Sequence, residues 1–459
     1  MENRMWLPVF SRADRPIYLA LAAAIGDDIA RGVLGAGRRL PTQRKLADAL
    51  GIDFTTVSRA YAEAARRGLV EGRVGQGTFV RQQRLSPSEA RSSGLVDMSM
   101  NMPPRFDNPE LVRRLWSALP ELEARGADFL MRYQEPGGTA KDRAIAAAWL
   151  QGRIGPGGSE RILVTAGAQG AFQAILGVLA APGDVVCTEA LTYPGFRAVA
   201  AHLRLELAGV EMDAEGMRAN AFEAICRDRK PKALYCTPTL HNPTTRTMPV
   251  ARRQAIIRVA REHGVPIIED DAYGALALAP PPTLAALAPD LVYHVASLAK
   301  CLSPTLRVAY VTAPQGISTG RLAGAVRAAA SMVSPLSAAL AGAWIETGLA
   351  EALIGEVRAE TARRLAVARR SLPSSIESAD GGFHVWLPVP KPWTRTEFAA
   401  RLQADGVGVV AADAFAVTAA PEAVRIGLGA PGTGEELERA LSVMADLCGR
   451  SPAEFSTVV

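Results

Sequence analysis

The sequence contains no uninterrupted apolar run near the roughly 18 to 20 residues that a membrane span needs, so no transmembrane helix is expected. Met1 to Phe10 lacks an apolar stretch, and no secretory signal is expected there. Cysteine is sparse: five in 459 residues, at positions 187, 226, 236, 301 and 448, with no CxxC pair. Such scatter argues against a disulfide framework; it predicts reduced thiols, a cytoplasmic protein and no metal site. Internal repeats and low-complexity tracts are also missing. The remaining composition is ordinary, with 49% hydrophobic and 21% charged residues. The chain is long enough for two or three folding units with sizeable cores.

Charge is small in sum and uneven in place. Residues 1–84 carry 14 Lys+Arg against 8 Asp+Glu, a net of +6. The whole chain sums to +5, which leaves −1 for the other 375 residues. A basic head on a near-neutral body is the electrostatic footprint of a protein that binds a polyanion.

The head reads as three helices and a hairpin. Pro16 opens a first helix with one apolar stripe, Ile17, Leu21, Ile25 and Ile29, and Gly35 and Gly37 break it. A short second helix runs from Thr42, its N-cap, to Leu50, with Gly51 as the stop. A third follows Asp53, continues to about Arg67 with Val57, Tyr61 and Ala64 inward, and ends at Gly68. Leu69 to Val80 reads as two short strands around a Gly-rich turn. Residues 82–95 have little to bury and read as a flexible linker. From residue 96, short β-branched runs alternate with helical stretches. These runs are 161–164, 184–188, 233–236, 265–268, 291–296 and 306–312. That alternation predicts an α/β domain with a mostly parallel sheet. From about Ser331, a long helical stretch and the short strands 383–387 and 423–428 predict a smaller α+β subdomain.

A short helix, a Gly turn and a second helix place the second helix in the DNA major groove. Its outward face carries Thr55, Ser58 and Arg59, with Thr56 beside them; Arg44 is placed for backbone phosphate. Gly75 and Gly77 at the hairpin tip allow a wing to approach the minor groove closely. The run Leu40 to Tyr61, with Arg67-Gly68-Leu69-Val70 after it, resembles the winged helix-turn-helix of the GntR family over about 65 residues. That family usually has Arg before the Thr-Thr pair, and here it is Phe54.

In the body, Lys300 in Ser297-Leu298-Ala299-Lys300 stands just past a strand end, where open α/β sheets bind ligands. A Schiff base to an aldehyde cofactor needs one such amine, and Ser297 and Arg307 are suited to a phosphate. Thr165-Ala166-Gly167-Ala168-Gln169 joins a strand to a helix start whose amides, at Ala168 and Gln169, suit the same phosphate. Glu269-Asp270-Asp271-Ala272-Tyr273 ends another strand in acid, suited to a pyridine nitrogen.

Residues 96–459 resemble the fold-type I pyridoxal-phosphate enzymes, the aspartate aminotransferase-like group. The resemblance implies that Lys300 carries the cofactor. By Asp-x-x-Tyr spacing, Asp270 meets the ring nitrogen, with Asp271 as runner-up, and Tyr273 meets the phenolic oxygen. Asn242 of His241-Asn242-Pro243-Thr244 donates to that same oxygen, and Tyr193 stacks on the ring. Arg425 clamps a substrate α-carboxylate. Many relatives with a GntR head read Asp-Asp-Tyr where this chain has the extra Ala272. Head and body together resemble the MocR subgroup of transcription regulators. The resemblance implies a winged-helix unit at 1–81, a linker at 82–95 and an aminotransferase-like unit at 96–459. It further implies a homodimer that binds pyridoxal phosphate, an amino-compound effector and a double-stranded operator. A working aminotransferase with a secondary head is the rival expectation.

Overall fold

The computed structural model describes residues 6–8, 16–30, 33–34, 38–66, 69–73, 77–80, 95–123 and 126–455. The chain divides into two compact units, Met1–Ser93 and Gly94–Val459. Gly35, Gly37, Arg67, Gly68, Gly75 and linker residues 82–94 lie outside the described residues.

In the first unit, α1 (Ile17–Ala30), α2 (Gln43–Leu50) and α3 (Phe54–Arg66) precede β1 (Val70–Arg73) and β2 (Gly77–Val80). The apolar spacing buries Leu21 and Ile25 of α1 against Leu46, Val57, Ala60, Tyr61 and Ala64. Thr42 caps α2 by accepting from the Lys45 amide at 3.4 Å, and Gly51 ends it at φ 60°. That left-handed backbone is where glycine costs least. The Asp53 carboxylate accepts from the Thr55 amide at 2.7 Å and starts α3. The hairpin pairs Val70 with Val80, antiparallel, and both residues close the small core.

The body contains β3 (Val96–Asp97), β4 (Ile162–Thr165), β5 (Val185–Glu189) and β6 (Glu206–Val210). A short antiparallel pair follows, β7 (Met212–Asp213) with β8 (Gly216–Met217). Next come β9 (Ala233–Cys236), β10 (Ile267–Asp270), β11 (Val292–Ser297) and β12 (Ala309–Thr312). Seven of these form one sheet in the order β4-β12-β11-β10-β9-β5-β6. It is parallel except for β12, which runs antiparallel to both neighbours. Strands β9, β10 and β11 are buried throughout. Burial on both faces is why they read as continuous apolar runs rather than alternating ones. Glu269 and His294 are polar and buried within β10 and β11, whereas Asp270 and Ser297 fall at the carboxyl ends of those strands, where such sheets open to ligands.

The smaller subdomain is built on β13 (His384–Pro388), β14 (Val407–Gly408), β15 (Val410–Ala411) and β16 (Ala423–Gly427). It differs from the sequence expectation in one respect. It does not consist only of chain after Ser331, because β3 pairs in parallel with β14 and Met98 joins its core. Among the described residues no single helix is long and apolar enough to cross a membrane.

Candidate functional site

Strand ends from distant parts of the chain meet around one cavity of about 320 Å³ in the body. Its wall includes Lys300, Asp270, Tyr273, Asn242, Tyr193 and Ser297. Ala168, Gln169 and Arg307 complete the set of cofactor residues expected from sequence. Arg425 stands behind the wall: it is buried, and its Nη1 donates to Asn242 Oδ1 at 3.0 Å.

Lys300 follows β11 on a four-residue helix that Ser297 caps by accepting from the Ala299 amide at 3.2 Å. Burial, with the nearby positive charges of Arg425 and Arg307, lowers its ammonium to about 8; Asp270 pulls the other way. The Asp270 carboxyl is pushed up to about 6 by burial and steadied by Tyr235, whose hydroxyl donates to Oδ2 at 2.7 Å. Tyr235 is in turn stacked on Phe196, with ring centroids 3.6 Å apart. These contacts fix where the carboxylate points.

The neighbouring acid goes elsewhere. Asp271 accepts from Arg153 Nε and Nη2 at 2.9 and 2.7 Å, and His294 Nε2 lies 3.2 Å from it. Burial would raise its pKa, but the hydrogen bonds from His294 and Arg153 outweigh burial and hold it low. It is consumed by this fork and is not part of the cavity wall, whereas Asp270 is.

At the other end of the cavity, the helix Gly167–Leu179 begins without a side-chain cap. Gly167 has φ +76°, and a Cβ there would sit 3.0 Å from Arg307 Nη2. Glycine thus lets the guanidinium lie over the first turn of that helix. Free amides and a cation face one space, an arrangement suited to a phosphate.

Three further residues at this site carry no signature in the sequence. Asn101 donates from Nδ2 to the Tyr273 hydroxyl at 2.8 Å, and its carbonyl accepts from Lys300 Nζ. Thr237 lines the cavity, and Tyr235 orients Asp270. An Asn in Met-Ser-Met-Asn-Met belongs to no spacing pattern, and Tyr235 reads simply as core within a buried strand.

On the head, Arg44, Thr55 and Arg59 are exposed, as is Gly77, whose φ is 110°. Thr56 and Ser58 are half-buried. The Thr55 hydroxyl donates to Asp53 Oδ1, so it takes part in capping α3. The Arg59 guanidinium lies 4.2 Å from the centroid of the Tyr18 ring. Phe54 is 44% exposed at the start of α3.

A buried amine, a buried acid and a guanidinium over an uncapped helix start, all around one cavity, fit pyridoxal phosphate. Residues 93–444 match the family model for aminotransferase class I and II. Residues 17–80 match that for bacterial regulatory proteins of the gntR family. The chain is 33% identical to the uncharacterized HTH-type transcriptional regulator YdeF of Bacillus subtilis, covering 96% of each chain. Its fold is similar to a Pyrococcus horikoshii kynurenine aminotransferase solved with PMP, at TM-score 0.71 and 22% identity, over 80% of this chain and 93% of that one. It is also similar to LysN, an α-aminoadipate aminotransferase from Thermus thermophilus complexed with N-(5'-phosphopyridoxyl)-L-leucine. There the TM-score is 0.67 at 25% identity, over 80% and 95% of the two chains. The chain therefore belongs to the HTH-type transcriptional regulators of the MocR type, in which a gntR-family head is joined to an aminotransferase class I and II body of the pyridoxal-phosphate fold.

Proposed function

We propose that this protein is a transcription regulator whose DNA binding responds to what its body holds: pyridoxal phosphate, an amino compound, or both. One observation carries the proposal. An amine, an acid and a guanidinium from separate strand ends face one cavity, in a chain whose other unit is a DNA-binding head. Bound there, the cofactor supplies an aldehyde for condensation with amines and an electron-withdrawing ring.

Lys300 holds the aldehyde end. Its ammonium sits near 8 rather than at the usual lysine value, so a useful fraction is unprotonated at neutral pH. Asp270, ionised above about pH 6, faces the ring nitrogen and keeps a proton there. Tyr193 covers the ring face, while Asn242 and Tyr273 hold the phenolic oxygen. Ser297, Arg307 and the amides of Ala168 and Gln169 take the phosphate. Arg425 takes a carboxylate on the effector, which makes that effector an amino acid or a close analogue.

Arg44 and Arg59 contact DNA together with Thr55, Thr56, Ser58 and Gly77; α3 lies in the major groove, and a homodimer meets two half-sites. An exposed apolar groove on the body supports self-association. Trp116 and Leu336 stand 62% and 50% exposed beside Leu119 and Leu340.

The test is DNA affinity of the full chain at fixed salt, with and without pyridoxal phosphate and a panel of amino acids. The expected change is within the roughly 5- to 150-fold of typical coupling. The second reading is a working aminotransferase, favoured by the lowered ammonium of Lys300 beside a retained Arg425. Steady-state amino transfer with DNA affinity indifferent to every amino acid would select it.

A further inference from the structure

The segment that opens the body reaches into the site. Residues Ser99 to Met102 follow β3, and two of their main-chain carbonyls hold two of the site's three cations, Arg307 being the third. The Ser99 carbonyl accepts from Arg425 Nη2, and the Asn101 carbonyl accepts from Lys300 Nζ. Met100, Asn101 and Met102 line the cavity, whereas Arg425 does not. The segment thus screens the guanidinium from the space a ligand enters.

The screen has a fitted seat and an incomplete one. The end of β16 and the chain just after it leave room for it: a Cβ on Gly427, the last residue of β16, would sit 2.6 Å from the Met100 carbonyl oxygen, and one on Gly429 would collide with that of Met102. Asn101 pins the segment, with Nδ2 2.8 Å from the Tyr273 hydroxyl and 3.2 Å from His384 Nδ1. Two polar atoms are left over. Asn101 Oδ1 and Arg425 Nε are buried and have no hydrogen-bond partner among the described residues. An unpaired buried donor costs free energy until something accepts from it. The Nε and Nη2 edge of Arg425 is therefore a fork with one prong unmet and the other on a neutral carbonyl.

We infer that Ser99–Met102 is a displaceable clasp: a ligand carboxylate takes the Nε and Nη2 edge of Arg425, replaces the Ser99 carbonyl, and lifts the segment from its seat. A carboxylate makes two charge-assisted bonds there where the carbonyl makes one neutral-acceptor bond, so the exchange favours the ligand. The clasp lies within a few residues of positions 82–94, which join body to head in the chain. This inference rests on Arg425 being the effector's carboxylate site, as in the proposed function. Asn101 then acts as a positioning residue that opposes binding.

The test uses the full chain loaded with pyridoxal phosphate, probed with the common L-amino acids and with the matching amines that lack the carboxylate. Hydrogen–deuterium exchange is followed over residues 96–103. A bound amino acid should speed exchange there, and its amine should not. Asn101→Ala should tighten amino-acid binding by roughly three- to tenfold, because the closed state it removes competes with the ligand. Arg425→Met should erase the preference for the carboxylate. Exchange that stays unchanged or slows when an amino acid is bound overturns the clasp while leaving the cofactor and effector assignments standing. So does an Asn101→Ala variant that binds more weakly. If no amino acid binds although the cofactor is attached at Lys300, the effector class and the clasp fall together.

Discussion

Arg44, Thr55 and Arg59 of the head stand in water, whereas Asp270 and Arg425 of the body keep no more than 6% of their surface exposed. The two regions solve different problems. A head that meets a long polyanion gains from exposed cations whose arrival releases the polyanion's counterions. A body that handles one small molecule needs groups tuned by the removal of water. Burial there pushes Asp270 up to about 6 and Lys300 down to about 8, which brings both towards neutral pH. The body should therefore respond to pH and to single-atom changes, and the head to salt.

The largest effect should come from Asp270→Asn, which removes the buried carboxylate from the cavity wall. Equilibrium titration should show cofactor affinity lower by about 10- to 100-fold. A pH series sharpens the contrast. Protonated amines do not add to aldehydes, so the rate of cofactor capture should rise about tenfold per pH unit and level off near pH 8, as Lys300 loses its proton. Retention should weaken as pH falls through about 6, where Asp270 becomes neutral, and Asp270→Asn should lose that second inflection. In the head, Arg44→Ala should weaken DNA binding several-fold on every sequence and reduce the salt slope by about 1. The smallest effect belongs to Asp53→Ala, which uncaps α3 and should lower the melting temperature of the head by a few degrees. Hydrogen bonds from Thr55 hold the Asp53 carboxyl below its ordinary 3.8. The cap's contribution is thus present above that pH and is lost as the solution is acidified through the folded value.

Local rules made most of this molecule legible. Periodicity placed α1, α2 and α3, and continuous β-branched runs placed the central strands, because both patterns are consequences of burial. What escaped was set at long range. Strand β6 reads Glu-Leu-Ala-Gly-Val and has little β-branching, and it forms at the sheet edge by pairing with β5. The pairing of β3 with β14 joins positions more than 300 residues apart, which no local pattern encodes. The choice between Asp270 and Asp271 stayed open in sequence because adjacent acids look alike; Arg153, from a helix 118 positions upstream, takes Asp271 out of the cavity. Asn101 was invisible for the same reason, since its partners Tyr273 and His384 come from elsewhere in the chain.

Attachment of the cofactor is the claim on which sensor and enzyme accounts both stand. The purified full chain can be incubated with pyridoxal phosphate, reduced with borohydride, digested and mapped by mass spectrometry. A single pyridoxyl adduct on Lys300, lost in Lys300→Ala, is the predicted result. No adduct, or one spread over surface lysines and unchanged in Lys300→Ala, would contradict it.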